Sequence, residues 1–199
     1  TGPLALTGAA TLAPDQLHIE QLQLKGPGVL EVRGDFGIGD AGSDLQLLFR
    51  ELRYPFPEKQ PPQLTGLNGQ GRLQGSMKDY RFELQAEALA QQQPVTLAAR
   101  GSGRAQQLQF ESLALRLGRD GGAVSAHGSL AWAPALRIDL DLVLERLNPA
   151  VAAAGWDGQL NGQLHTETRM QAGTPDIAFR LQLDRSTLRQ QPIELAAQG

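Results

Sequence analysis

The chain has 199 residues, 41% hydrophobic and 20% charged, a balance too apolar for general disorder. Its net charge of −3 leaves no basic footprint for nucleic acid, and with no cysteine it can form neither disulfides nor thiol sites. No apolar run reaches the roughly 18–20 residues of a membrane span, and the start at Thr1, without a signal-peptide pattern, reads as a piece of a longer protein.

Taken in order, the sequence is strand after strand. Leu4 and Leu6 begin the first. Residues 16–25, QLHIEQLQLK, place Leu17 and Ile19 on one parity and Leu22 and Leu24 on the other, so a β-bulge is expected at Glu20–Gln21. Strands follow over 29–38 and 44–52. Residues 54–62, YPFPEKQPP, carry too many prolines for a central strand and read as an exposed connection, with Tyr54 and Phe56 tucked onto an edge. A glycine-rich strand over 64–77 leads into residues 80–101, two alternating runs around a Gln-rich, Pro-marked turn. Strands are then expected over 106–117, 123–132 and 136–147. Asn148 as N-cap, Pro149, the alanines and Gly155 predict a helix of about two turns. Strands over 158–170, 177–188 and 193–197 complete the chain.

Parts of this pattern recur. Phe82, Leu84, Pro94 and Gly101 have counterparts in Phe179, Leu181, Pro192 and Gly199. Residues 16–22, QLHIEQL, echo residues 107–113, QLQFESL, and Leu67-Asn68-Gly69-Gln70 echoes Leu160-Asn161-Gly162-Gln163. The expected fold is all-β: an elongated, curled, antiparallel-rich sheet built from about two repeats of roughly 95 residues. The approximate units are 1–62, 63–156 and 157–199, the first and last incomplete. A tandem β-sandwich has a similar period and stays open as an alternative.

Successive side chains of a strand point to opposite faces, so parity sorts the residues. One face collects leucine, isoleucine and phenylalanine; the other collects Arg81, Glu83, Gln109, Glu111, Asp139 and Asp141. No amphipathic helix is long enough to cover the dry face, so the sheet covers itself or holds an apolar ligand. Gly34, Gly69, Gly71, Gly75, Gly128 and Gly162 share parity with the apolar residues and are expected to leave space there.

A search for chemistry gives little. His18, His127 and His165 fall in separate strands without ligand spacing, so no metal site is expected. Asp139 and Asp141 lie on the wet face rather than in an apolar pocket that would make an acid–base pair. No nucleophile elbow or phosphate-cradling loop is present, and Trp132 and Trp156 are expected to pack beside their connectors. The reading is a protein with no cofactor that is not an enzyme.

At Leu147-Asn148-Pro149 through Trp156-Asp157-Gly158-Gln159-Leu160-Asn161-Gly162, and at the echo Leu67-Asn68-Gly69-Gln70-Gly71, the chain resembles the TamB family of AsmA-like proteins of the Gram-negative envelope. The resemblance implies a taco-like sheet with a greasy groove, in a periplasmic body held by an N-terminal inner-membrane anchor and reaching toward an outer-membrane barrel partner, TamA. It implies movement of phospholipid between the membranes; an alternative is help in assembling outer-membrane and autotransporter proteins. Under it, the groove lining that receives acyl chains would be Leu17, Ile19, Val32, Phe36, Phe82, Leu84, Leu97, Leu108, Phe110, Leu130, Ile138, Leu140, Leu142, Leu164, Phe179, Leu181 and Leu183. A structural tandem sandwich or solenoid with a closed, dry interior is the remaining alternative.

Overall fold

A computed structural model describes residues 4–26, 28–54, 64–76, 78–90, 92–151, 155–171 and 174–199. The strands among them are β1 (Ala5–Leu12), β2 (Gln16–Gly26), β3 (Gly28–Gly37), β4 (Ser43–Tyr54), β5 (Leu64–Ser76), β6 (Asp79–Ala90), β7 (Gln93–Arg104), β8 (Gln107–Leu117), β9 (Ala123–Ala131), β10 (Arg137–Leu147), β11 (Gly158–Gln171), β12 (Thr174–Leu188) and β13 (Gln191–Gln198). The chain divides into two units, Thr1–Ala105 with β1–β7 and Gln106–Gly199 with β8–β13. Within each unit every strand runs antiparallel to its chain neighbours, and sheet order is chain order. Among the described residues no pairing joins β1 to β7 or β8 to β13, so neither unit closes into a barrel. The all-β, antiparallel reading therefore holds.

Short turns set this topology. Leu188 pairs with Gln191 across Arg189 and Gln190, which both take positive φ, 49° and 66°. That is the backbone of a type I′ turn, whose twist matches the strands it joins, here made without the usual Asn-Gly pair. The segment expected as an exposed connection lies largely outside the described residues, including Phe56 and the prolines. The helix expected after Asn148 appears in its described part as a 3-10 turn, Pro149–Val151. Asn148 Oδ1 does accept from the Ala150 N–H at 3.0 Å, as an N-cap should.

The bulge expected at Glu20–Gln21 is present. Ile19 pairs with Gly34 and Leu22 with Val32, so Glu20 and Gln21 of β2 face the single residue Arg33 of β3. Its sequence echo in β8 slips at the same point, between Phe110 and Leu113. Three further bulges share one design. Between Phe49 and Leu52, Leu144 and Leu147, and Leu183 and Ser186, a single residue turns left-handed: Glu51, Arg146 and Arg185, with φ of 54°, 48° and 47°. Each inserts one residue and restores the following side chain to the face it would have left.

A sandwich would place a second sheet over the apolar face. Among the described residues each unit has none, and its substantial contacts are between strands adjacent in the chain. Among the described residues only six hydrophobic residues are buried: Ile19, Phe49, Ala88, Ala99, Ala126 and Leu183. The accessible surface is 13494 Å² for 21.4 kDa. Two compact domains of half that mass would together expose about 11,000 Å². Trp132 and Trp156, expected to pack, stay about half exposed because no layer lies over their connectors; the Arg189 guanidinium sits 5.7 Å from the Trp156 ring centre.

Candidate functional site

The apolar face of each unit is built row by row from direct cross-strand partners. In the first unit one row runs Leu24, Leu30, Phe49, Gly69, Ala86 and Leu97, and the next runs Leu22, Val32, Leu47, Gly71, Leu84 and Ala99. A third runs Ile19, Gly34, Leu45, Leu73, Phe82 and Gly101, and Leu17 pairs with Phe36 beyond it. In the second unit the rows are Leu108, Leu130, Ile138, Thr168 and Ile177; Phe110, Gly128, Leu140, Thr166 and Phe179; and Leu113, Ala126, Leu142, Leu164, Leu181 and Ala197. A last row joins Leu115, Val124, Leu144, Gly162, Leu183 and Leu195. Direct partners share a face, so every residue singled out from the sequence lies on the apolar face of its own unit.

These side chains are half-buried against one another and open on the far side. Ile19 and Leu183 are buried, whereas Phe36 is 37% exposed, Phe179 40%, Leu195 46% and Ile177 56%. Leu73 and Leu195 also belong to the face, and Thr166 and Thr168 place two hydroxyls within it. Parity within the glycine-rich strand would have found Leu73. The threonines lie in a polar-looking stretch, HTETR, whose alternation becomes clear only from the partners Phe179 and Ile177.

The glycines lie on this face, as expected, but most do not leave space there. A Cβ on Gly34, Gly128 or Gly162 would run into the carbonyl oxygen of Asp44, Asp139 or Gln182 on the next strand, and all three have positive φ. They allow close approach of backbones. At Gly69 the room is filled by the Phe49 ring from across the strand pair, and at Gly103 by Tyr80. Cross-strand aromatics over strand glycines restore the packing that glycine lacks. Burial under this arrangement pushes the Tyr80 phenol above its ordinary value.

The opposite face is polar. Arg72 grips Asp44 with two bonds, Nε to Oδ1 at 2.9 Å and Nη2 to Oδ2 at 2.7 Å, which holds the Asp44 carboxyl below the usual aspartate value. Arg33 pairs with Glu31 at 2.6 Å. Leu48 stands here between Glu31 and Gln70 beside a recess of about 400 Å³. The histidines are not as separate as their spacing suggests. His127 and His165 both reach Asp141, at 3.4 and 2.9 Å, because antiparallel register sets the three side by side. The Asp141 hydrogen bond raises the His165 pKa.

No helix among the described residues is long and apolar enough to cross a membrane. Searches of the curated proteins and of the solved structures gave no match. The family described as TamB, N-terminal domain matches residues 6–199. With that match over nearly its whole length, the chain belongs to the TamB N-terminal domain family of envelope proteins.

Proposed function

We propose that the chain is a periplasmic segment of a TamB-type protein whose apolar face carries phospholipid acyl chains between the inner and outer membranes. The observation behind this reading is an aliphatic face that, among the described residues, no second layer covers within either unit, backed by a charged opposite face. Each lipid methylene shielded from water gains about 0.8 kcal/mol. Neighbouring strands repeat at about 4.8 Å with similar residues, so an acyl chain moving along a row exchanges one aliphatic neighbour for another and meets no deep trap. The headgroup stays in water at the open side. The function is conduction without chemistry, requiring neither cofactor nor metal. In the full-length protein an N-terminal anchor would hold the body to the inner membrane, and a TamA-like barrel would receive it at the outer membrane.

Native mass spectrometry of the purified chain tests this reading, with phospholipid adducts expected. Leu140→Arg and Leu181→Glu place a charge in the middle of the face at half-buried positions. Both should keep the circular-dichroism spectrum of a β-sheet, lose no more than about 1–2 kcal/mol of stability and lose the bound lipid. Unfolded variants would mean that the face is a closed core, and lipid retained by folded ones would mean that it binds away from this face. Cross-links from barrel strands to the edges β1 or β13, with no lipid detected, would instead support the assembly role.

A further inference from the structure

Two of the three histidines, 38 residues apart in sequence, meet on the polar face of the second unit. His127 on β9, Asp141 on β10 and His165 on β11 are direct partners in one cross-strand row. Both imidazoles address one carboxylate: His165 Nδ1 is 2.9 Å from Asp141 Oδ1, and His127 Nε2 is 3.4 Å from Asp141 Oδ2. Two positions along β10, Asp139 brings another carboxylate oxygen within 4.8 Å of the Asp141 and His165 donor atoms. Glu167 Oε1 lies 3.7 Å from His165 Nε2.

We propose that this row is a surface binding site for a divalent transition-metal ion of the zinc class, with His165, Asp141 and His127 as ligands and Asp139 able to complete the set. The donors are imidazole nitrogen and carboxylate oxygen, the combination that suits Zn²⁺, Ni²⁺ or Cu²⁺ rather than the all-oxygen shells of Ca²⁺ or Mg²⁺. Direct partners on adjacent strands have Cβ atoms about 4.5–5.5 Å apart. The two histidines therefore flank Asp141 from roughly 10 Å apart, and each imidazole can lean inward to place a nitrogen about 2.0–2.1 Å from an ion above the middle strand. The ladder already holds the three Cα positions, so little ordering is needed on binding.

The surrounding charge also favours a cation. Asp139, Asp141 and Glu167 carry three negative charges, with Glu111 at the bulge opposite His127. Of the nearby arginines, Arg169 is tied to Glu167 at 2.8 Å, while Arg180 faces His165 from β12 and opposes binding. A bound ion would clip β9, β10 and β11 together from the face opposite the apolar rows. His18 supplies an internal control: it has Asp35 across the strand pair at 2.7 Å, but no second imidazole beside it.

Isothermal titration of the untagged chain with Zn²⁺ tests the site. One saturable ion per chain is expected, with affinity lowered at least tenfold in each of His165→Ala, His127→Ala and Asp141→Asn, and unchanged in His18→Ala. Circular dichroism of each variant separates ligand loss from misfolding. Co²⁺ offers a second readout, because its visible d–d bands should appear with the wild type and vanish with the folded His165→Ala variant. The proposal is overturned if no saturable binding occurs, if binding survives His165→Ala unweakened, or if it disappears with His18.

Discussion

Gly128 shows what a single residue does in this sheet. Its φ of +146° and the Asp139 carbonyl beside it leave no room for a side chain. Gly128→Ala should cost on the order of 1–3 kcal/mol in urea denaturation, since the strained backbone and the contact both have to yield. Gly42→Ala is the comparison, because nothing lies within 4 Å of its added Cβ, and it should stay within about 0.5 kcal/mol. The sequence shows where these glycines are and which face they share. It does not show what stands in place of the missing side chain, because that atom belongs to another strand. Asp44 gives a second test at this scale. The Arg72 bonds favour its charged form, so the stabilisation they bring is present above the ordinary aspartate pKa and is lost as pH falls through the lowered one. In a carboxyl-carbon NMR titration the Asp44 midpoint should lie below 3.8 and rise on Arg72→Leu.

The bulges are the informative elements. Asn161 Oδ1 accepts from the N–H of left-handed Arg146 on β10 at 2.8 Å, and its Nδ2 donates to the carbonyl of left-handed Arg185 on β12 at 3.1 Å. One side chain thus fastens the bulges of both neighbouring strands. Asn68 repeats half of this in the first unit, accepting from Glu51 N–H at 3.0 Å. Asn68 Nδ2 also donates to the Gly66 carbonyl at 2.9 Å, so Asn161→Ala and Asn68→Ala each remove two side-chain hydrogen bonds and should each lower stability by about 1–2 kcal/mol in chemical denaturation. The Leu-Asn-Gly-Gln echo was plain in the sequence, but its purpose was not, because the residue each asparagine serves lies on the preceding strand. The bulges themselves were partly legible. An apolar pair three apart inside an alternating run, Phe49 with Leu52 or Leu144 with Leu147, marks an inserted residue just as the parity slip at Glu20 does. Of the short helix expected after Asn148, the described part is the 3-10 turn Pro149–Val151, and the alanines at 152–154 lie outside the described residues.

At the level of the molecule, alternation was enough to read the fold class and the composition of the apolar face, since period-two patterning is a direct image of a sheet with one dry side. Whether that side was covered could not be read, because a packed core and an open lining use the same leucines. The meeting of His127 and His165 escaped for a related reason: register across β10 depends on where each hairpin turns, and spacing along the chain carries no trace of it.

The unbroken chain order of the strands has one more consequence. Among the described residues each strand's substantial contacts are with the strands before and after it, which makes each unit close to one-dimensional, with stability approaching a sum of nearest-neighbour terms. Such a sheet forms like a zipper, hairpin upon hairpin, with short loops to close and no distant partner to wait for. It also frays from its outer strands, so β1 should exchange its amide hydrogens well before β4. Insertion or loss of a whole hairpin leaves every other pairing, and the facing of every side chain, as it was. Length becomes a trait that gene duplication can adjust without redesign.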